Sequence, residues 1–190
     1  LQEAVQAEGD RDWRGLLGKI EALIPEIEVP VVVKEVGNGI SASLVRRLAD
    51  MGVAAVDIAG AGGTSWSEVE AHRQSDLSVR RIAHSFAGWG IPTALALMEA
   101  RQLVPDLPIF ASGGLRDGID IAKALRLGAS LCGVAAPVLR VATNSTDAVG
   151  ERMAAFIEGL RIAAFCTGSA DITSLRSAIL RRTDDWSVVR

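Results

Sequence analysis

Short apolar runs alternate four times with amphipathic stretches along this chain. Residues 29–36 read VPVVVKEV and residues 53–58 read VAAVDI; PIFAS lies within 105–112, and a fourth run covers 130–134. Short runs that stay apolar on both faces are expected to be buried parallel strands. Helical spacing covers 12–23, 42–51, 91–103, 117–127 and 147–165. Ser41 is placed as an N-cap and Gly128 as a C-terminal stop. Such alternation means a parallel sheet with crossover helices. The expected fold is therefore α/β with about four βα units. A closed (β/α)8 barrel needs about twice as many, in roughly 250 residues. Periodicity alone leaves half a barrel and a small open sheet as alternatives.

Composition narrows the function classes. With 190 residues, 49% hydrophobic and 23% charged, the chain is expected to form one packed domain rather than a disordered segment. A net charge of −3 gives no basic footprint for nucleic acid or an anionic membrane. No apolar run approaches the roughly 20 residues of a spanning helix, and no signal peptide is visible, so a cytoplasmic protein is expected. Two cysteines, Cys132 and Cys166, exclude a disulfide-rich scaffold. His72 and His84 lack a second ligand at metal spacing. Both lie in a polar stretch, 67–88, that fits the alternation poorly and is expected to be a mobile lid over substrate. The sequence begins with Leu1 rather than Met, and a longer natural protein is expected.

Several residues are suited to chemistry. SGGLRDG at 112–118 follows a strand and opens a helix. Glycines there would let Gly113, Gly114, Leu115 and Arg116 approach a phosphate, with helix N–H groups holding the anion. The small residues Ala135 and Ala136, after the fourth run, could complete that cradle. AGAGGTSW at 59–66 places Ala59, Thr64 and Trp66 at another strand end, with Glu70 four residues beyond Trp66. Lys34 ends the first run, where a lysine reads as an anion-neutralising site residue or as an ion-pair partner of Asp57. By periodicity, Gln2 and Glu3 are ordinary polar residues.

Taken together, LQEAVQAEGDRDWRG, VPVVVKEVGNGIS, VDIAGAGGTSW with VE following, WGIPTA, FASGGLRDGIDIAKALRLGA and AAPVL resemble the type 2 isopentenyl-diphosphate isomerases. The matching stretches cover nearly the whole chain. The resemblance implies the C-terminal half of an FMN-binding TIM barrel, one domain over 1–190, with the N-terminal half absent from this sequence. It implies interconversion of isopentenyl and dimethylallyl diphosphate with reduced FMN, Mg²⁺, and NADPH as flavin reductant. The substrate is thus a small diphosphate, and the assembly a homotetramer or larger. By the same resemblance, Gln2 lies by the reacting carbons and Glu3 holds Mg²⁺. Lys34 sits near the flavin ring, and Thr64, residues 113–116, Ala135 and Ala136 hold FMN. Trp66 and Glu70 line the substrate end, Glu70 as a proton-exchange candidate. Ala59 stands where many relatives carry serine, so that contact is absent or made by backbone. The family's Arg-Lys pair, its Ser and Asn for FMN, and its His before Gln-Glu have no counterpart here.

Two alternatives stay open. Another FMN barrel, a 2-hydroxy-acid oxidase or nucleotide dehydrogenase, shares the Gly-Gly-x-Arg loop. The oxidases want a histidine where Phe110 and Ala111 stand, and the dehydrogenases a loop cysteine, whereas Cys132 falls in a strand. The second alternative is a non-catalytic, phosphate-binding half-barrel module.

Overall fold

Each apolar run forms a strand only at its centre. In the computed structural model, which describes residues 1–184 and 187–189, β1 is Val32–Lys34, β2 Ala55–Asp57, β3 Ile109–Ala111 and β4 Leu131–Cys132. Pro30 and Pro108 have no N–H for a ladder, which delays two of the strand starts. Residues beyond each strand leave the ladder to build loops. The four strands make one parallel sheet in the order β1-β2-β3-β4. Val33 pairs with Val56, Val56 with Ile109, and Phe110 with Leu131. Every strand neighbours the next in sequence, without the order reversal of a doubly wound sheet. Right-handed crossovers then put the helices on one face. This is the arc of a barrel, and it decides between the two architectures that periodicity left open.

The helices are α1 (Gln2–Val5), α2 (Leu16–Leu23), α3 (Ala42–Asp50), α4 (Trp66–Arg73), α5 (Leu77–Ser85), α6 (Thr93–Leu103), α7 (Gly118–Arg126), α8 (Ala136–Ala142), α9 (Thr146–Cys166) and α10 (Ile172–Leu175). Ser41 caps α3 as expected, accepting from Leu44 N–H. Gly128, at φ +107°, turns the chain after α7. The period of two along each strand sorts its side chains. Val56 and Ile109 face the helices and join Val45, Leu48 and Leu97 in the buried core. Residues on the opposite face, at the register of Asp57, include Lys34, Phe110 and Leu131; Leu131 is exposed.

Stretch 67–88 is helical rather than an irregular loop. It contains most of α4 and all of α5, which pack on α1 through Val5, Ala71, Ala83 and Leu1. Ser67 and Ala71 have no exposed surface, and Asp76 caps α5 through Ser78 and Val79 N–H. The polar composition hid two helices because their apolar face is made of small residues. At the other end, α7 and α9 meet at two glycines. A Cβ on Gly118 would lie 2.4 Å from the carbonyl carbon of Gly159.

Candidate functional site

An open cleft of about 890 Å³ lies at the C-terminal ends of the strands. One wall carries Lys34, Ala59, Thr64 and Trp66; the other carries the 113–116 turn, Ala135 and Ala136. Ten residues singled out from sequence therefore converge on one space. In parallel barrels this end is where sites are built.

The cradle is made by two glycine loops in backbone contact. Gly113 and Gly114 take φ +90° and +80°, and a Cβ on them would fall 2.1 Å from the Gly60 carbonyl oxygen and 2.7 Å from that of Gly62. Only glycine fits both the angle and the approach. Thr93, largely buried at the start of α6, fixes the turn: its hydroxyl lies 3.1 Å from the Ser112 carbonyl oxygen and 2.6 Å from that of Gly113. Asp57 fixes the neighbouring strand ends. Its Oδ1 accepts from Ser112 Oγ at 2.7 Å and from Ala59 N–H at 3.2 Å. Ala59 is held at φ +37°, the only non-glycine residue with positive φ among the described residues.

The expected use of free helix N–H groups needs correction. Asp117 occupies the α7 N-terminus with its own carboxylate, accepting from Ile119 and Asp120 N–H at 2.9 Å each. The open donors lie just before it and at the start of α8. Among the described residues, nothing accepts from the backbone N–H of Gly113, Gly114, Leu115, Ala135 or Ala136. Unpaired backbone donors grouped in a concave site are what a phosphate requires. The residues present therefore fit a phosphate-bearing cofactor through this turn and the start of α8, not through α7.

Lys34 satisfies part of each reading made from sequence. Its Nζ lies 3.9 Å from Asp57 Oδ2, the limit of an ion pair, and donates to the Glu35 carbonyl at 2.6 Å. The side chain remains 56% exposed and faces the cleft, so its charge is available there. Glu35 itself is structural: Oε2 accepts from Val36, Gly37 and Asn38 N–H at 2.5–2.7 Å and folds the loop after β1.

Gln2 and Glu70 are brought together although 68 residues separate them. Gln2 Nε2 donates to Glu70 Oε1 at 3.1 Å, and Arg73 Nη1 donates to both Glu70 oxygens at 3.0 and 3.2 Å. Glu70 is 1% exposed, a buried carboxylate made tolerable by these bonds. This cluster does not line the cleft. Glu70 lies about one helical turn along α4 from Trp66, which opens that helix and does line the cleft. Glu3 is half-buried, and its Oε2 accepts from Asp10 N–H at 2.9 Å. No group of three or more His, Cys, Asp or Glu side chains able to hold a metal occurs among the described residues. Cys132 lies in β4 as expected, and burial pushes its thiol up to about 11. Sequence reasoning missed Thr93, Arg73, Arg140 and Arg152; the last two also line the cleft. WGIPTA flagged the neighbourhood of Thr93, but the two arginines sit in ordinary helical context.

Among the described residues, no helix is long and apolar enough to cross a membrane. The isopentenyl-diphosphate delta-isomerase of Stutzerimonas stutzeri (strain A1501) is 60% identical over 180 residues, 95% of this chain and 52% of that protein. That of Synechocystis sp. (strain ATCC 27184 / PCC 6803 / Kazusa) is 55% identical over 175 residues, covering 92% and 50%. The chain thus spans about half the length of the curated relatives it matches. A solved structure described as a lactate oxidase of Pediococcus acidilactici superposes with a TM-score of 0.66 at 21% identity, covering 90% of this chain and 41% of that one. A mandelate oxidase carrying an FMN adduct gives 0.62 at 22%, covering 84% and 44%. At such identities the likeness shows the fold alone, a partial barrel. The model of the FMN-dependent dehydrogenases matches residues 4–182, and the chain belongs to the FMN-dependent dehydrogenase family.

Proposed function

We propose that this chain is the C-terminal part of an FMN-binding barrel that interconverts isopentenyl and dimethylallyl diphosphate in the manner of the type 2 isomerases. The observation that carries the reading is the 113–115 turn, whose unpaired N–H groups face a cleft walled by Lys34, Thr64 and Trp66. Relatives 47–60% identical over most of the chain bear the isomerase name, which supports the choice of reaction.

Reduced FMN supplies an electron-rich ring that can give and take a proton without net redox change, and NADPH serves only to reduce it. The chain's own residues orient and stabilise. The 113–115 N–H groups, with Ala135 and Ala136, hold the phosphate. The Lys34 ammonium counters negative charge at the ring edge. Trp66 walls the substrate end and excludes water. Gln2, a poor acid or base whose amide is fixed by Glu70 Oε1, lies outside the cleft lining, and its proposed part is to orient the substrate from the Trp66 side. Glu70, reached through Gln2, is the proposed proton-exchange group. Glu3 offers one carboxylate to Mg²⁺, which commonly takes only one or two beside phosphate oxygens and water. The reading carries with it a cytoplasmic location and a homotetramer or larger.

The test is anaerobic conversion of isopentenyl diphosphate by the protein at its full natural length, with FMN, NADPH or Mg²⁺ omitted in turn. Dimethylallyl diphosphate should form only with all three. A flavin-bearing protein that leaves isopentenyl diphosphate unchanged but oxidises 2-hydroxy acids would overturn the reading, as would a protein that never takes up flavin.

A further inference from the structure

Three guanidinium groups converge on the phosphate end of the cleft: Arg116 beyond the glycine turn, Arg140 on α8 and Arg152 on α9. None forms an ion pair among the described residues. The neighbouring carboxylates are engaged elsewhere. Asp117 caps α7, and Asp120 pairs with Lys123 at 3.8 Å while accepting from Arg116 N–H. A single unpaired surface arginine is ordinary, because water solvates it. Three from separate elements line one cleft whose single lining carboxylate among the described residues, Asp57, already accepts from Ser112 Oγ and Ala59 N–H and lies 3.9 Å from Lys34 Nζ, which leaves positive charge where an anion would sit.

The arrangement is also preset. Arg152 lies 4.9 Å over the ring of Phe156, which is buried, and its Nη2 reaches the Arg116 carbonyl oxygen at 3.4 Å. Stacking restrains a long side chain that would otherwise lose much rotamer freedom on binding. The glycine turn can donate to one side of a phosphate monoester. A monoester dianion has three terminal oxygens with more acceptor sites than those N–H groups fill, and planar guanidinium groups suit the remainder.

We infer that Arg140 and Arg152 are phosphate ligands that, with Arg116, close over the glycine turn and select the phosphorylated flavin over its unphosphorylated form. The inference rests on the flavin reading above and adds two residues and a selectivity to it. The recognised group is a phosphate monoester dianion. Its binding relieves repulsion among the three cations, so affinity should fall with added salt.

The test is flavin-fluorescence quenching, titrating FMN and riboflavin into flavin-free protein of full natural length at two salt concentrations. Arg140→Gln and Arg152→Gln should each weaken FMN by about ten-fold, the scale of one charge-assisted contact, while riboflavin affinity stays unchanged. Arg152→Lys should recover part of the loss, since the charge returns without the planar fork. Arg140 is exposed, so its variant tests the idea even if Arg152→Gln disturbs Phe156. Parallel weakening of FMN and riboflavin, or FMN binding unchanged in both Gln variants, overturns the inference and leaves the flavin site standing. A wild-type protein that binds neither flavin overturns the flavin reading and this inference with it.

Discussion

Replacing Thr93 by valine should loosen the phosphate turn without changing the shape of the side chain. Thr93 is 8% exposed, and its hydroxyl lies within hydrogen-bond distance of two carbonyls. The Ser112 carbonyl keeps a second donor, Gly60 N–H at 3.0 Å, but the Gly113 carbonyl has no other among the described residues. Valine therefore orphans one part-buried acceptor, at a cost of up to about 1–3 kcal/mol. The added methyl returns at most about 0.8 kcal/mol, and a carbon cannot sit 2.6 Å from an oxygen, so the turn must shift. The expected net loss is about 2 kcal/mol. Serine at this position keeps the donor and gives up one methyl, about 1 kcal/mol. Equilibrium urea unfolding reads both variants through the midpoint at constant slope. A valine variant as stable as the serine variant, or more so, would refute the claim that this hydrogen bond holds the turn.

Other substitutions probe the packing behind the site. Gly118→Ala drives a Cβ to 2.4 Å from the α9 backbone and should cost about 1–3 kcal/mol through overpacking. Gly159→Ala meets only 3.2–3.3 Å contacts and gains up to about 1 kcal/mol of helix propensity, so thermal unfolding should rank it above Gly118→Ala; the reverse order counts against the crossing. Cys132, with its thiol at about 11, is protonated in the folded state at pH 8.5. Exposed Cys166 should therefore react with iodoacetamide first, and Cys132 only on unfolding. The folded pKa lies above the unfolded value of 9.0, so this thiol's contribution to stability is intact below pH 9 and declines as pH rises through about 11. Equal labelling of both cysteines in the native protein would show that β4 does not bury Cys132.

Local chemistry made much of the fold legible. The valine run around β1, the Ser41 cap and the Gly128 stop are decided by side chains within a few residues, and each forms where the sequence places it. Gly113 and Gly114 announced a tight approach because no other residue takes their angles. Stretch 67–88 misled because its buried positions, Ser67, Glu70 and Ala71, carry small or charged side chains rather than the large apolar ones that mark a helix face. Local residue chemistry sufficed for the order of elements and for the loops that had to be glycine. That Gln2 would meet Glu70, and that Arg140 and Arg152 would face one cleft, followed from packing. The first joins residues 68 positions apart, and the second turns two separate helices toward one space. No local spacing encodes such choices; they arise when parallel pairing brings the strand ends, and the loops they carry, to one end of the sheet.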